Sequence, residues 1–266
     1  MEIMHYLQPD VNLWGLRIQE PVTTLTDLMV SAVCLFAFIK LARIPVKSRT
    51  HLFVKYYFLS MSIATFFGGV FGHGFLYLVD YSWKMPHEFN RFIAGIFGEA
   101  RVNETAYPIK LPGWLTSMLA VALLERAIID YARKIIPKAI GNFFGWMNII
   151  ELLTFMTITF TTLSFFFVEI HTSYGLLFVV GSFSTYVYFR TKSEGSKTFM
   201  IAVGVAAIAA LFFMNQWGVS PWFNHLDISH TLMTIAAFIF YKGALKMIVE
   251  TETIIIQKPQ EITAEK

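Results

Sequence analysis

Trp217-Gly-Val-Ser-Pro-Trp-Phe-Asn-His-Leu-Asp-Ile-Ser-His230 introduces the last long apolar run of the chain, Thr231–Ile248. The end of this stretch carries His225, Asp227 and His230 directly into the apolar run. Imidazole and carboxylate groups are costly to place at the mouth of a helix in lipid, so such residues indicate a functional site. The stretch therefore predicts that a membrane-spanning helix starts here and that a functional site lies at this end of the helix.

The composition is that of a multi-pass integral membrane protein. Charged residues make up 15% and apolar residues 56% of the 266 residues, and the mean hydropathy is +0.57. A soluble domain would have about a quarter charged residues. The net charge of +3 is small and the basic residues fall in short loops, which argues against nucleic-acid binding. We expect membrane lipid as the environment, in the cell membrane if the source is bacterial; protein partners are not predicted.

Seven stretches have the roughly 20 mostly apolar residues that a spanning helix needs. They predict an all-α bundle of seven transmembrane helices in one domain, residues 1–250, with a polar tail over residues 251–266. The longest connection, residues 79–110, is predicted as an outer loop. The predicted spans are Val22–Ala42, Phe53–Leu78, Leu111–Tyr131, Phe144–Val168, Tyr174–Phe189, Phe199–Trp217 and Ile228–Ile248.

Four basic clusters fall on one side of such a bundle, and the positive-inside rule makes that side cytoplasmic. The N-terminus is then expected outside and the C-terminus inside. The clusters are Arg43, Lys47, Arg49 and Lys55; Arg133, Lys134 and Lys138; Arg190, Lys192 and Lys197; and Lys242 and Lys246.

This topology brings two histidine-bearing segments to the same depth. The second span runs outward and ends in Gly68-Gly-Val-Phe-Gly-His-Gly74, while the seventh span starts at the outer face with His225 and His230. The glycines let a neighbouring helix or a ligand approach the backbone closely. We therefore expect His73 to meet the two histidines of the seventh span.

Three imidazoles and a water make an open catalytic zinc site, so His73, His225 and His230 are predicted as metal ligands. Asp227 shares a helix face with His230, and Asp80 follows His73 by two helical turns. Either aspartate can orient a ligand or carry a proton during catalysis. The alternative is that these are polar helix-end residues without a metal.

Glu20 and Asp27 lie seven residues apart at the outer end of the first span, hence on one face. They are predicted as groups that support the ligands or bind a hard cation such as calcium; a structural ion pair is equally possible. The remaining histidines are expected in tails or loops, without a role in the site. They are His5, His51, His87 and His171.

The seven-span layout with His73, His225 and His230 resembles the CREST superfamily, which contains alkaline ceramidases and the progestin and adiponectin receptor family. The resemblance implies that the three histidines hold a zinc ion whose water hydrolyses a lipid amide or ester. The family pattern also has a serine one turn before the first histidine, where this chain has Gly69, and an aspartate early in the third span, where the nearest is Asp80. The last histidine pair is spaced by five residues, against four in the family.

The leading hypothesis is a zinc-dependent integral-membrane hydrolase that acts on a lipid amide or ester. One alternative is a haem protein with His73 and His230 as axial ligands. Another is a receptor or small transporter that keeps the histidines as polar gates.

Overall fold

The computed structural model describes residues 8–46, 48–78, 83–84, 95–96 and 105–264. Within these ranges, seven helices are long and apolar enough to cross a membrane, which confirms the predicted all-α bundle. The predicted catalytic residue Asp80 and most of the predicted outer loop lie outside the described residues. The seven spans are Pro21–Ala42, Arg49–Gly74, Pro108–Ala132, Lys138–Thr162, Phe166–Thr191, Glu194–Met214 and His225–Thr251.

Two of these spans contain π-helical turns. The segment Gly68–Gly74 extends the second span, and Tyr174–Gly181 joins the two halves of the fifth. The orientation of the bundle in a membrane stays a prediction. The α-helices are α1 Pro21–Ala42, α2 Arg49–Phe67, α3 Leu111–Ala132, α4 Lys138–Thr162, α5 Phe166–Ser173, α6 Ser182–Thr191, α7 Glu194–Met214 and α8 His225–Ala264; short 3-10 helices cover Leu76–Leu78 and Pro108–Lys110.

Two small antiparallel strand pairs lie outside the spans. In the first, β1 (Val11–Leu13) and β2 (Leu16–Ile18) are joined by Trp14 and Gly15, whose φ angles are 50° and 83°. Two positive φ values in a two-residue loop are what the right-handed twist of a hairpin requires. In the second pair, β3 Trp83–Lys84 and β4 Thr105–Ala106 connect the chain after the second span to the chain before the third.

The boundary between the fourth and fifth spans differs from the prediction. Leu163 adopts a left-handed conformation with φ of 49°, and its N–H bonds to the Thr159 carbonyl, so the fourth span ends at Thr162. The next helix begins at Phe166, which places His171 inside a span and fully buried. The prediction that His171 lies in a loop is therefore wrong.

The prediction that His51 lies in a tail or loop is also wrong. His51 lies in α2, where it is buried, and its Nε2 is 3.0 Å from the Leu41 carbonyl. The polar tail over residues 251–266 stays a prediction, and α8 continues through it as one helix to Ala264. His5 and His87 lie outside the described residues.

The sixth and seventh spans pack through glycines. A methyl group added at Gly195 would lie 2.9 Å from the backbone nitrogen of Met247 and 3.2 Å from the Gly243 carbonyl oxygen. Both neighbours are backbone atoms, so the two helices would have to separate to make room. Gly204 lies in the same helix, and a methyl group there would meet nothing within 4 Å.

We expect Gly195→Ala to lower the free energy of unfolding by about 1–3 kcal/mol, because overpacking at a helix crossing moves the backbone. The matched control Gly204→Ala should leave stability unchanged or slightly raise it, since alanine favours helix and the site is open. Unfolding midpoints measured for both variants in detergent test this. Equal midpoints for the two variants would contradict the packing described here.

Candidate functional site

The glycine-rich end of the second span lies directly on the first span. A methyl group at Gly69 would lie 2.9 Å from Cβ of Asp27 and 3.1 Å from the Thr24 carbonyl oxygen. At the end of the segment, the Gly74 carbonyl accepts a hydrogen bond of 3.0 Å from the Gln19 N–H. These contacts fix the π-helical turn, a feature common at functional sites, against the first span.

His73 is held by Glu20, which precedes the first span. The Nδ1 atom of His73 lies 2.6 Å from Oε2 of Glu20. Burial alone would raise the pKa of the Glu20 carboxyl, but the hydrogen bond to His73 and the charges of His73, Lys110 and His225 outweigh it and lower the pKa. Glu20 is therefore an ionised acceptor, so Nδ1 of His73 donates the proton.

The start of the seventh span is a reciprocal helix cap. The Asn224 side-chain oxygen accepts from the N–H groups of Leu226, at 2.8 Å, and Asp227, at 3.4 Å. In return, Oδ2 of Asp227 accepts from the Asn224 N–H at 2.8 Å. Each side chain satisfies backbone groups that a helix end leaves unpaired.

The same Asp227 carboxylate ties the seventh span to the first. It accepts from the Thr23 hydroxyl at 2.9 Å and from the Gln8 side-chain amide at 3.2 Å. The Gln8 side-chain oxygen accepts in turn from the N–H groups of Val22, at 2.8 Å, and Thr23, at 3.2 Å. Asp227 is fully buried, and in the described part of the chain its carboxylate bonds to Thr23, Gln8 and Asn224. Its predicted role in orienting a ligand or carrying a proton stays a prediction.

Asp27 lies beside two of the predicted ligands. Its carboxylate oxygens are 3.6 Å from Nε2 of His230 and 3.9 Å from Nε2 of His73. The two imidazole rings have centroids 6.3 Å apart. Both nitrogen–oxygen distances exceed the length of a direct hydrogen bond, although Asp27 is only 5% exposed. The first, second and seventh spans thus converge on one carboxylate.

The second nitrogen of each ring is already in use. Nδ1 of His73 donates to Glu20, as described above. The Thr26 hydroxyl gives its proton to the Thr23 carbonyl at 3.1 Å, so its oxygen accepts from Nδ1 of His230 at 3.4 Å. In the neutral form of each ring, the lone pair therefore lies on Nε2, on the side of Asp27.

His225 is placed differently from the other two histidines. Its ring lies against Phe213, with centroids 6.0 Å apart, while its charge acts on Glu20. It is also absent from the walls of the cavity that His73 and His230 line. The assignment of His225 as a ligand stays a prediction, and the structure offers Asp27 as a further candidate.

A cavity of about 480 Å³ opens beside the two imidazoles, and a second cavity of about 210 Å³ adjoins it. Phe165, Phe213, His230 and Met233 line both cavities. The polar residues that line the larger cavity are Asp27, Thr65, His73, Tyr107, Lys110, Ser117 and His230. The site thus combines a few polar groups with an apolar wall, as ligand pockets commonly do.

Two polar groups were not predicted from the sequence, one at this site and one elsewhere in the bundle. Lys110 was assigned to the outer loop, yet it lies at the start of the third span and lines the cavity. The only feature of the sequence that pointed to Lys110 was a charged residue at the edge of an apolar run. His171 forms a separate buried group with Glu125 and Glu151, whose ligand atoms lie within 4.8 Å of one another. No short spacing connects these three residues in the sequence.

A profile described as a family of unknown function (DUF6962) matches residues 22–249. The match covers most of the chain, and the protein belongs to this family. No curated protein and no solved structure matches the chain.

We expect Asp227→Asn to lower the free energy of unfolding by about 1–3 kcal/mol, because an amide NH₂ would then face the donors that now bond to the carboxylate. The measurement is the unfolding midpoint in detergent. Asp10→Asn is the matched control: Asp10 pairs with Arg17 at the surface, and its loss should change stability by no more than about 0.5 kcal/mol. An unchanged midpoint in Asp227→Asn would mean that Asp227 does not hold the two spans together.

Proposed function

We propose that this DUF6962 protein is a metal-dependent membrane hydrolase that cleaves an amide or ester bond in a lipid. The proposal rests on one observation: the Asp27 carboxylate lies 3.6 Å and 3.9 Å from Nε2 of His230 and His73, at the wall of an internal cavity. His73, His230 and Asp27 would hold the metal ion. This set differs from the predicted three histidines in having Asp27 where His225 was expected.

Two distances from Asp27 are near those of a zinc site, but the three groups do not yet have the spacing of bound ligands. Zinc lies about 2.0–2.2 Å from its nitrogen and oxygen ligands, so two ligands of a tetrahedral site are about 3.4 Å apart. The distances of 3.6 Å and 3.9 Å end on different Asp27 oxygens and are too long for hydrogen bonds. No choice of one ligand atom from each residue brings all three within 4.8 Å of one another, so zinc binding requires these side chains to move closer together. Without a cation, the carboxylate would face two nitrogen lone pairs in an apolar bundle, which is unfavourable. A proton on either Nε2 is the metal-free alternative.

The types of donor atom favour zinc over calcium and haem. Calcium takes oxygen ligands, whereas two of the three groups here are imidazoles. A haem would need the space between His73 and His230, and the Asp27 carboxylate lies within 4 Å of both of their Nε2 atoms. Two imidazoles and a carboxylate, with a fourth position open, form a known type of catalytic zinc site.

A bound zinc ion would lower the pKa of a water toward neutral and polarise a substrate carbonyl. The protein's own side chains would orient the ligands and stabilise the developing charge. Glu20 fixes the ring of His73 and increases its basicity by accepting the Nδ1 proton. The Lys110 ammonium lines the cavity and would stabilise negative charge that develops on the reacting carbonyl oxygen.

Two further features support a lipid as the substrate. The larger cavity carries Asp27, His73 and Lys110, and the adjoining one is lined mainly by apolar side chains of the fifth, sixth and seventh spans, with Glu169 among its few polar residues. His230 lines both, so a bond near the head group would lie at the metal ligands while an acyl chain occupies the apolar cavity. The resemblance to the CREST superfamily suggests the same class of reaction.

Metal analysis of the purified protein tests the ligand set. We expect Asp27→Asn and His230→Ala each to lose about one equivalent of zinc relative to wild type, because removal of one ligand opens a three-ligand site. Asp10→Asn should keep the wild-type content. His225→Ala should also keep it if Asp27 is the third ligand, and should lose one equivalent if the three-histidine prediction is right.

An equal zinc content in wild type and Asp27→Asn would leave only an imidazolium–carboxylate pair at this site. A Soret band in the purified protein would instead favour the haem alternative.

Hydrolysis is tested with vesicles that contain a ceramide or a fatty-acyl ester, with release of free fatty acid measured by mass spectrometry. We expect release by wild type, loss on chelation and recovery with zinc. Lys110→Met should lower kcat by about 100-fold at unchanged zinc content, because it removes one stabilising charge from the transition state. A zinc-loaded protein that cleaves neither lipid would contradict the hydrolase, and a receptor or transporter would be the remaining class.

A further inference from the structure

A second polar cluster lies in the other half of the bundle, between the third, fourth and fifth spans. It consists of Glu125, Glu151 and His171, which are 0%, 9% and 0% exposed. Each comes from a different span, and each offers one ligand atom within 4.8 Å of the others. Ionisable groups buried in a membrane bundle are costly, so their convergence needs a physical reason.

The ring of His171 is held in place by a hydrogen bond at Nε2. Its Nε2 lies 2.9 Å from the Met118 carbonyl oxygen, which can only accept, so Nε2 carries a proton. The other nitrogen, Nδ1, lies 2.6 Å from Oε1 of Glu151, which is a hydrogen-bond distance, so a bound metal ion would replace the proton between these two atoms and move them apart. A backbone carbonyl that fixes one ring nitrogen is the usual support for a metal-binding histidine.

Glu125 is fixed in a similar way. The Asn148 side-chain amide donates to Oε2 of Glu125 at 3.2 Å and to the Ala122 carbonyl at 3.1 Å. On the opposite side, the π-helical backbone at Gly175 approaches so closely that a methyl group there would overlap Oε1 of Glu125. The carboxylate is therefore held in one orientation.

The remaining carboxylate oxygens have no hydrogen-bond partner among the described residues. These atoms are Oε1 of Glu125 and Oε2 of Glu151, and both are buried. A proton shared between His171 and Glu151 would pair Oε1 of Glu151 but would leave these two atoms unsatisfied. With Glu125 ionised, it would also leave one net negative charge in an apolar interior. One divalent cation would neutralise both carboxylates and use all three groups.

We propose that Glu125, Glu151 and His171 form a second metal site, for a divalent transition-metal ion such as Zn²⁺. Carboxylate oxygens with one imidazole nitrogen suit this class of ion. The bound ion would join the third, fourth and fifth spans near the middle of the bundle. This site shares no residue with the cluster at Asp27 and does not depend on the proposed hydrolase activity.

Zinc counting in the full-length protein tests the second site separately from the first. The protein is stripped with a chelator in detergent, reloaded with Zn²⁺, and its metal measured after removal of excess. We expect Glu125→Gln, which keeps the side-chain shape, to lose about one equivalent relative to wild type. Asp27→Asn should lose the zinc equivalent that binds at the first site. The Asp27→Asn, Glu125→Gln double variant should lose both equivalents. Glu194→Gln, at an exposed glutamate, is the matched control and should lose none.

Two measurements guard against misfolding of the variants. Zn²⁺ should raise the unfolding midpoint of Asp27→Asn, which retains the second site, but not that of the Asp27→Asn, Glu125→Gln double variant. The Asp27→Asn variant has no substitution in the second cluster. Co²⁺ added to this variant after metal removal should therefore give a visible absorption spectrum.

The outcomes separate the two sites. If Glu125→Gln binds as much zinc as wild type, or if Asp27→Asn binds neither Zn²⁺ nor Co²⁺, protons hold the cluster and the second site is refuted. If Asp27→Asn keeps the wild-type content while Glu125→Gln loses one equivalent, the second site stands and the metal site of the proposed hydrolase fails.

Discussion

The half of this bundle that carries His73 and His230 depends on how one buried carboxylate is compensated. Asp27 lies on the first span with almost no exposure, and the groups that approach it are two imidazoles from the second and seventh spans. A charge in apolar surroundings is stable only with partners, so these three spans cannot separate without exposing it unpaired. Gly69 makes the approach possible, because a side chain at that position would collide with Asp27. The chemistry of the site and the packing of the spans therefore have the same cause.

The segment before the first span completes this arrangement. Gln8 caps the first span with its oxygen and reaches Asp227 of the seventh with its amide, while Gln19 bonds to Gly74 at the end of the second. These contacts orient the ends of the three helices that meet at His73 and His230 before any ligand binds. Asp227 has donors on both oxygens, as expected of a structural carboxylate, whereas the Nε2 atoms nearest to the Asp27 carboxylate lie 3.6 Å and 3.9 Å away. Hydrogen-bond satisfaction thus separates residues that hold the fold from residues that have capacity left for a ligand.

The two polar clusters occupy different halves of the bundle and share a local feature. Each lies beside a π-helical turn: Gly68–Gly74 carries His73, and Tyr174–Gly181 follows His171 and covers Glu125. An i to i+5 turn widens the helix and re-aims the side chains around it, which is a means of directing an imidazole into a bundle. Both turns contain glycines at their contacts with the opposing carboxylates, so backbone and carboxylate can lie close together.

The sequence by itself determined the seven spans, because apolar runs long enough to cross a bilayer are visible without tertiary information. It also indicated that His73 and His230 would come close, since the four spans between the end of the second and the start of the seventh return the chain to the same depth. The tertiary structure decided which carboxylate joins them. Asp27 was one of two acids on a predicted helix face, and only helix rotation and the close approach at the glycines bring it to both rings.

The cluster of Glu125, Glu151 and His171 was decided by tertiary structure alone. Its members are separated by 20 residues or more and come from three helices. His171 was assigned to a loop because hydropathy cannot detect that Leu163 turns the chain early and starts the fifth span sooner. Apolar length fixes how many helices cross a membrane. Which polar side chains meet inside depends on helix rotation and contact distance, and the lengths and spacing of the apolar runs do not reveal either.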